Sequence, residues 1–388
     1  MPGRCADRLG CFVITRLVSG ATAWRRPDGS IKGCFARRQA LKRRKALWQT
    51  GCLGLPSVVN KLFKGSSIVP KFSDVNESEN LKVDLKDTDR PLAETLNPNF
   101  RYALFSPIAK GGKSLIQSCS DLYLSRRICY KSLRREFAED PVEQKRLLRE
   151  ARVTAILQHP NIVPTYDLGR DTRGHYYFTM KLVHGYTLRE VLDYRERYDL
   201  TQLVDVIEQV AQALSYAHTK GVIHRDVKPE NILVGPFGEV VLLDWGLAKV
   251  WDTPEPDASP DALEPESAAE TLPLTMTRHG KVQGTISYMS PEQLTNETEI
   301  DSRADIYSLG AVLYEVLTGQ NAAVGETMDE LARSVRYDTP GLPSQVARLK
   351  IPKLLEDLTM RCLKKQPSER LGSMEEMIRL LSQNWQLS

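Results

Sequence analysis

The stretch from Gly221 to Lys249, GVIHRDVKPENILVGPFGEVVLLDWGLAK, constrains this chain more than any other. Ile232-Leu233-Val234 and Val240-Val241-Leu242-Leu243 are short apolar runs separated by Gly235, Pro236 and Gly238, the pattern of two buried strands joined by a turn. Two polar clusters interrupt them: His224-Arg225-Asp226 with Lys228 and Asn231, and then Asp244. A strand pair this dry gains no stability from such groups at its ends, because burying them is costly unless each is partnered. Their spacing suits phosphoryl transfer. Asp226 offers a carboxylate to an incoming hydroxyl, Lys228 a charge to the transferred phosphate, and Asn231 and Asp244 hard oxygen donors to a shared Mg²⁺.

In type, order and spacing these positions resemble the catalytic and metal-binding loops of protein kinases, H-R-D-x-K-x-x-N followed by D-x-G. The resemblance covers roughly residues 100 to 385. It implies an α+β bilobal kinase fold, with a small β-rich N-lobe, a larger helical C-lobe, and ATP with Mg²⁺ (or Mn²⁺ in its place) in the cleft. It implies that Asp226 orients the acceptor hydroxyl and takes its proton, that Lys228 neutralises the transferred phosphate, and that Asn231 and Asp244 hold the metal. Asp244-Trp245-Gly246-Leu247-Ala248-Lys249 resembles bacterial, Hanks-type members, with Trp245 expected to pack as the usual phenylalanine does. Lys228, and Gly284-Thr285 ahead of Tyr288-Met289-Ser290-Pro291-Glu292, resemble the serine/threonine branch. The expected substrates are therefore proteins with Ser/Thr acceptors, this chain included. Glu230 sits where some members read a basic residue upstream of the target, although a surface glutamate is the commoner explanation.

The chain has 388 residues, enough for two or three domains, and its 41% hydrophobic and 26% charged content is ordinary for a globular protein. The net charge of +4 is unevenly spread: residues 1–50 hold 12 of the 53 Lys+Arg and 2 of the 49 Asp+Glu, leaving 41 basic against 47 acidic residues beyond. The basic character thus belongs to the N-terminal tail, where Lys42-Arg43-Arg44-Lys45 cluster. Four readings compete there: a disordered tail with no specific partner, a tail for an anionic partner such as nucleic acid or membrane, an organelle-targeting peptide, and an over-extended reading frame. The last would need a non-Met start, since no methionine lies between Met1 and Met180. The seven cysteines are scattered without a C-x-x-C pair, so neither a zinc ribbon nor a disulfide framework is indicated. No apolar run approaches the roughly 18 residues of a transmembrane helix. A reducing, cytoplasmic setting follows as the expectation. Ser73 to Glu94 reads as a linker, which gives a tail and linker at 1–96 and a kinase domain at 97–388: N-lobe 97–180, hinge 181–184 and C-lobe 185–388.

In the small lobe, Tyr102 to Ile108, Leu115-Ile116 and Leu122-Tyr123-Leu124 read as short strands around the pair Gly111-Gly112. The phosphate-covering loop G-x-G-x-x-G aligns with Ala109-Lys110-Gly111-Gly112-Lys113-Ser114, which keeps only the middle glycine. Ala109 and Ser114 forfeit backbone freedom that Gly112 partly restores, and Lys113 and Ser114 are expected to add phosphate contacts. A P-loop reading of Gly112-Lys113-Ser114 fails, because Pro107 stands where that motif needs its first glycine. Ile128-Cys129-Tyr130-Lys131 is a β-type run, and Lys131 resembles the lysine that pairs the α/β-phosphates. Asp140-Pro141 starts a helix in which Val142, Leu147, Leu148, Ala151 and Ala155 fall near helical spacing. By resemblance Glu150 is its lysine's ion-pair partner. His159-Pro160-Asn161-Ile162-Val163 ends that helix, with His159 read as structural. By the same resemblance Ile108, Ala109, Gly111, Gly112, Ile116, Met180 and Leu182 surround the nucleotide, Met180 behind the adenine and Leu182 in the connector.

In the large lobe, Leu203, Val206, Ile207, Val210, Leu214 and Ala217 mark an amphipathic helix that ends at Gly221. Val250 to Glu270 holds seven acidic and no basic residues, the composition of a mobile segment. Thr275, Thr277 and Thr285 follow it. Arg225 beside Asp226 suggests that a phosphothreonine orders this loop, with Thr277 the favoured switch. Glu292 and Arg370 resemble the family's buried ion pair, and Asp305 the aspartate that braces the catalytic loop. Ile306 to Leu317 mark a buried helix, and Leu354 to Leu363 and Met374 to Trp385 read as closing helices, with the expectation that no C-terminal sensor domain follows them. Two rivals remain at this stage: a kinase-like scaffold without transfer, supported by the altered glycine loop, and a small-molecule kinase on the same fold.

Overall fold

A computed structural model describes residues 91–92, 97, 100–250, 285–295 and 300–383. Strands β1 (Tyr102–Lys110), β2 (Ser114–Asp121), β3 (Arg126–Leu133), β4 (Thr165–Arg170) and β5 (Tyr176–Met180) form an antiparallel sheet in the order β1-β2-β3-β5-β4. The strand period of two gives β3 two different faces. Ile128 and Tyr130 point to an aromatic cluster with Tyr102 and Tyr177, whose rings meet edge-on or stacked. Cys129 and Lys131 point the other way, toward helix α1 (Pro141–Ile156) and the cleft.

Helix α1 starts as its sequence predicts. Asp140 accepts from the backbone N–H of Val142 at 2.9 Å, and Pro141 occupies the first turn. Its buried face differs from the apolar spacing: Leu147, Ala151, Val153 and Glu150 are buried, whereas Val142 and Ala155 are exposed. A charged residue on the inner face, held by Lys131, displaces the simple apolar stripe. Leu122-Tyr123-Leu124 is not a strand but the turn between β2 and β3, with Leu122 and Leu124 exposed. Asp121 accepts from Tyr123 N at 3.1 Å, and Ser125 takes a left-handed φ of 48°; both tighten a turn whose residues look like strand formers.

The connector leads through β6 (Tyr186–Thr187) into α2 (Leu188–Leu192) and α3 (Leu200–Thr219). Helix α3 and α5 (Arg303–Thr318) carry the main core, with α5 buried from Ala304 to Thr318. Gly310 lets α5 approach α8 (Lys353–Cys362): a Cβ there would lie 2.4 Å from that of Cys362. Gly319 ends α5 with a left-handed φ of 75°. Helices α4 (Pro291–Leu294), α6 (Met328–Tyr337), α7 (Pro343–Val346) and α9 (Met374–Leu381) complete the described part of this lobe. Trp385 and the activation segment, including Thr275 and Thr277, lie outside the described residues.

The site hangs from short strands above α3: β7 (Val222–Ile223), β8 (Ile232–Val234), β9 (Val240–Leu242) and β10 (Lys249–Val250). β8 and β9 pair as the apolar runs suggest, β6 adds beside β8, and β7 pairs with β10. The two polar clusters are thus the ends of adjacent strands, brought side by side. Asn161 ties this layer to the small lobe, donating to Val240 O at 2.8 Å and Gln209 at 3.0 Å.

Candidate active site

Three side chains converge at the end of β7. Lys228 Nζ lies 2.8 and 2.7 Å from the two Asp226 carboxylate oxygens, and Asn231 Nδ2 donates to Asp226 Oδ2 at 2.9 Å and to Asp226 O at 2.8 Å. Burial raises the Asp226 pKa and Asp244 adds to the rise, while Lys228 opposes it. Lys228 also reaches Oγ1 of Thr285, one of the regulatory candidates, at 3.4 Å; Thr277, the favoured one, lies outside the described residues.

Across the cleft, Lys131 Nζ lies 2.5 Å from Glu150 Oε1 and 3.7 Å from Asp244 Oδ1. One ammonium charge therefore serves two carboxylates. Burial works against the charge on Lys131, but Asp244 and Glu150 outweigh it and hold the lysine protonated. Asp244, its side chain 49% exposed, is held below the ordinary carboxylate range chiefly by Lys131. Glu150, 9% exposed, bears the burial cost and is pushed up to about 7 despite Lys131.

The donor set fits a hard divalent cation. Asn231 turns its amide nitrogen to Asp226, which leaves the oxygen as its remaining donor, and Asp244 presents a carboxylate that is half open to the cleft. Among the described residues no cluster of three His, Cys, Asp or Glu forms a separate metal centre. Substrate phosphate oxygens would complete such a site.

Backbone strain marks the same place. Arg225 and Asp244 adopt left-handed φ values of 64° and 62°, unfavourable for residues with a Cβ. Asp305 over-determines the first: its oxygens accept from Arg225 N and His224 N, each at 2.9 Å, and contact His218 Nε2 at 2.8 Å. Burial alone would raise Asp305, but these donors, His218 first, hold it below the ordinary range. Arg225 directs Nε to Leu247 O at 2.6 Å, tying the catalytic loop to the segment after Asp244.

Two positioning residues received no role in the sequence reading, although His224 was part of its polar cluster. Fully buried His224 contacts Leu243 O through Nε2 at 3.0 Å and accepts from Asp226 N through Nδ1 at 3.2 Å, a strut between the two polar clusters. Trp245, 0% exposed, packs edge-on to it at 4.6 Å, so the ring in the phenylalanine position is core. Gln293 donates to Arg225 O at 2.8 Å. A polar residue inside an apolar run was the available signal for His224; Gln293 carried none.

The nucleotide-binding candidates line up along β1, β2, β5 and the connector. Ala109 pairs with Ile116, Ile116 with Lys131, and Met180 with Cys129, while Leu182 is half-buried beyond Met180. Ile108 and Ala109 are exposed. Gly111-Gly112-Lys113 forms the β1–β2 turn. Lys113, expected to add a phosphate contact, pairs here with Glu143 in the first turn of α1. Arg134 donates to Gly112 O at 2.9 Å, and its N–H to Lys113 O at 2.8 Å. A loop poor in glycine is thus held from outside.

Arg370 and Glu292 form a bidentate pair at 2.6 and 2.7 Å. His159 accepts from Asn161 N at 3.2 Å and stacks on Tyr216, a structural arrangement.

These features define a two-lobed nucleotide cleft of the protein kinase type, and the comparison with known families agrees. The protein kinase domain matches residues 102–385, and the chain belongs to that family. A serine/threonine-protein kinase PknD from Protochlamydia amoebophila is 37% identical over 292 residues, 72% of this chain and 29% of that protein. PknD proteins of Chlamydia pneumoniae and Chlamydia muridarum are 34% and 32% identical over 292 and 301 residues, covering 71% and 74% of this chain and 30% and 32% of theirs. The chain spans about a third of the length of these relatives.

Proposed function

We propose that this chain is a serine/threonine protein kinase that transfers the γ-phosphate of ATP to protein serines and threonines, including its own. The observation that carries this reading is the 3.7 Å approach of Asp244 to a Lys131 already paired with Glu150, opposite Asp226 bonded to Lys228 and Asn231. These are the side chains to which the reading assigns the protein's share of the charge. The naming of the PknD relatives supports the serine/threonine choice.

In this mechanism Lys131, held by Glu150, anchors the α/β-phosphates. Asp226 orients the acceptor hydroxyl and takes its proton as the oxygen attacks phosphorus and the bond to ADP breaks. Its raised pKa makes it a better proton acceptor than a solvated aspartate. Lys228 moves from the carboxylate to the transferred phosphoryl group. Asn231 and Asp244 would hold Mg²⁺, or Mn²⁺ in its place, and the ion would supply neutralisation of phosphate charge. The nucleotide contacts of Ile108, Ala109, Gly111, Gly112, Ile116, Met180 and Leu182 belong to the same proposal. So do control by Thr277 or Thr285 through Arg225, a domain boundary near Asn97, an anionic partner for the basic residues 1–50, and a cytoplasmic location. No helix among the described residues is long and apolar enough to cross a membrane, and the described cysteines 119, 129 and 362 are free and buried.

The test is phosphate transfer from labelled ATP with Mg²⁺ or Mn²⁺, to the chain itself and to a generic basic protein, with Asp226→Asn alongside. Label on serine and threonine that the substitution abolishes is the expected result. A folded, nucleotide-binding wild type that transfers nothing would favour a kinase-like scaffold, the reading to which Ala109 and Ser114 in the glycine loop lend support.

A further inference from the structure

One cluster beside the catalytic loop has no part in the chemistry above. Glu230 lies four residues after Asp226, and Tyr288 three after Thr285, which Lys228 contacts. This places the cluster next to where an acceptor hydroxyl must sit. Glu230, from the turn after Lys228, and Glu315, from α5, converge there as two carboxylates. Alone they would form an acidic notch for a basic side chain of a peptide.

The notch is already filled. Arg189 of α2 donates from Nε to Glu230 at 2.9 Å, from Nη1 to Glu315 Oε1 at 2.5 Å and from Nη2 to Glu315 Oε2 at 3.2 Å. Nη2 also contacts the Tyr288 hydroxyl, which itself donates to Glu315 at 2.6 Å and lies 3.2 Å from Asn321 Oδ1. Glu315 is buried, and Tyr288 with it. A planar guanidinium with donors in a fixed fork matches this geometry in a way an ammonium could not. Exchanging it for a substrate arginine would break charge-assisted bonds inside the protein to form equivalent ones with the peptide, so little net affinity is left for selection.

We infer that Arg189 is a specificity-determining residue: it occupies the acidic notch formed by Glu230 and Glu315 from within, and so removes the preference for a basic residue beside the acceptor that Glu230 alone would suggest. This rests on the kinase reading above. The sequence around Glu230 does not show this, because its partner comes from a helix 41 residues earlier in the chain.

The experiment measures kcat/KM of the full chain on matched serine peptides that carry arginine, alanine or glutamate at each position flanking the acceptor. Wild type is expected to treat arginine and alanine peptides alike to within about fivefold, since a partly exposed ion pair is worth at most about 1 kcal/mol. Arg189→Ala is expected to raise the arginine-to-alanine ratio about tenfold at one flanking position, the worth of one bond to a charged group. Arg189→Ala/Glu230→Gln should remove that gain. Should Arg189→Ala fold poorly, Arg189→Gln, which keeps bulk and polarity without charge, reads the same ratio. A wild type that already selects arginine, or an Arg189 variant whose ratio does not move, overturns the inference. Absence of transfer to every peptide would instead count against the kinase reading, because the inference concerns only the ratio between peptides.

Discussion

Two buried ion pairs, one in each lobe, share the same chemistry and behave differently. Arg370 and Glu292 are 0% and 4% exposed, and Arg370 also donates to the carbonyls of Arg303, Lys364 and Lys365. The guanidinium is saturated by one carboxylate and three fixed backbone oxygens, and nothing competes for it. Lys131 and Glu150 are joined by one contact between point groups, at the wall of a cleft, with Asp244 as a second claimant on the same charge. The first pair holds α4 to the C-terminal end of the lobe. The second, in the proposed mechanism, holds a cation for the phosphates. An arginine fork suits permanence, and a lysine ammonium suits a charge that must be shared.

That contrast can be broken most sharply at Lys131. Lys131→Met should lower kcat/KM by about 10³-fold, as expected for removing a preorganised charge from a transfer site. Because Glu150 is already pushed up to about 7, it can take a proton when its partner is lost, so the unfolding free energy should fall by only about 1 kcal/mol. A collapse in stability would show the small-lobe pair to be structural too. Arg370→Ala should do the reverse and cost about 3 kcal/mol in urea unfolding, because Glu292 is left buried and unpaired. Arg370→Lys should recover less than half, since an ammonium cannot make the fork; full recovery would erase the distinction.

Asp305 sharpens the comparison through pH. Its pKa is depressed in the fold, so the stability it contributes is complete above the ordinary aspartate value of about 3.9 and is lost as pH falls through the lower folded value. The gap between wild type and Asp305→Asn, about 2 kcal/mol, should stay constant above about pH 5 and close in stronger acid. A gap that widens in acid would refute the assignment. The smallest effect is expected at Lys113. Its pair with Glu143 is half exposed, so Lys113→Ala should change kcat/KM for ATP by about threefold, through a looser loop. A large rise in KM would restore the direct phosphate contact.

Much of the site was legible because its chemistry is local. Asp226, Lys228, Asn231 and Asp244 lie within one stretch whose apolar runs enforce two adjacent strands, so the order of residues nearly dictates their meeting. Lys131 and Glu150 were found by resemblance, and their contact needed the strand and helix to face each other. The failures have a common cause. Leu122-Tyr123-Leu124 was misread as a strand because a turn set by the Asp121 side chain and the left-handed Ser125 carries no apolar signature. Gln293 and His224 were given no role, and Glu230 was left between a surface residue and a reader of basic side chains, because their partners lie far away in sequence and a polar side chain takes its role from the group opposite it.

By itself the sequence determined which groups this protein brings to its chemistry and the strands that present them. Propensity, period and spacing act over a few residues. Only the tertiary structure decided which charges are shared, which are saturated and which are already taken: Asp244 on Lys131, three carbonyls on Arg370, Arg189 in the notch of Glu230 and Glu315. Electrostatic energy depends on distance and burial, and both are set by packing between segments that the chain order keeps apart.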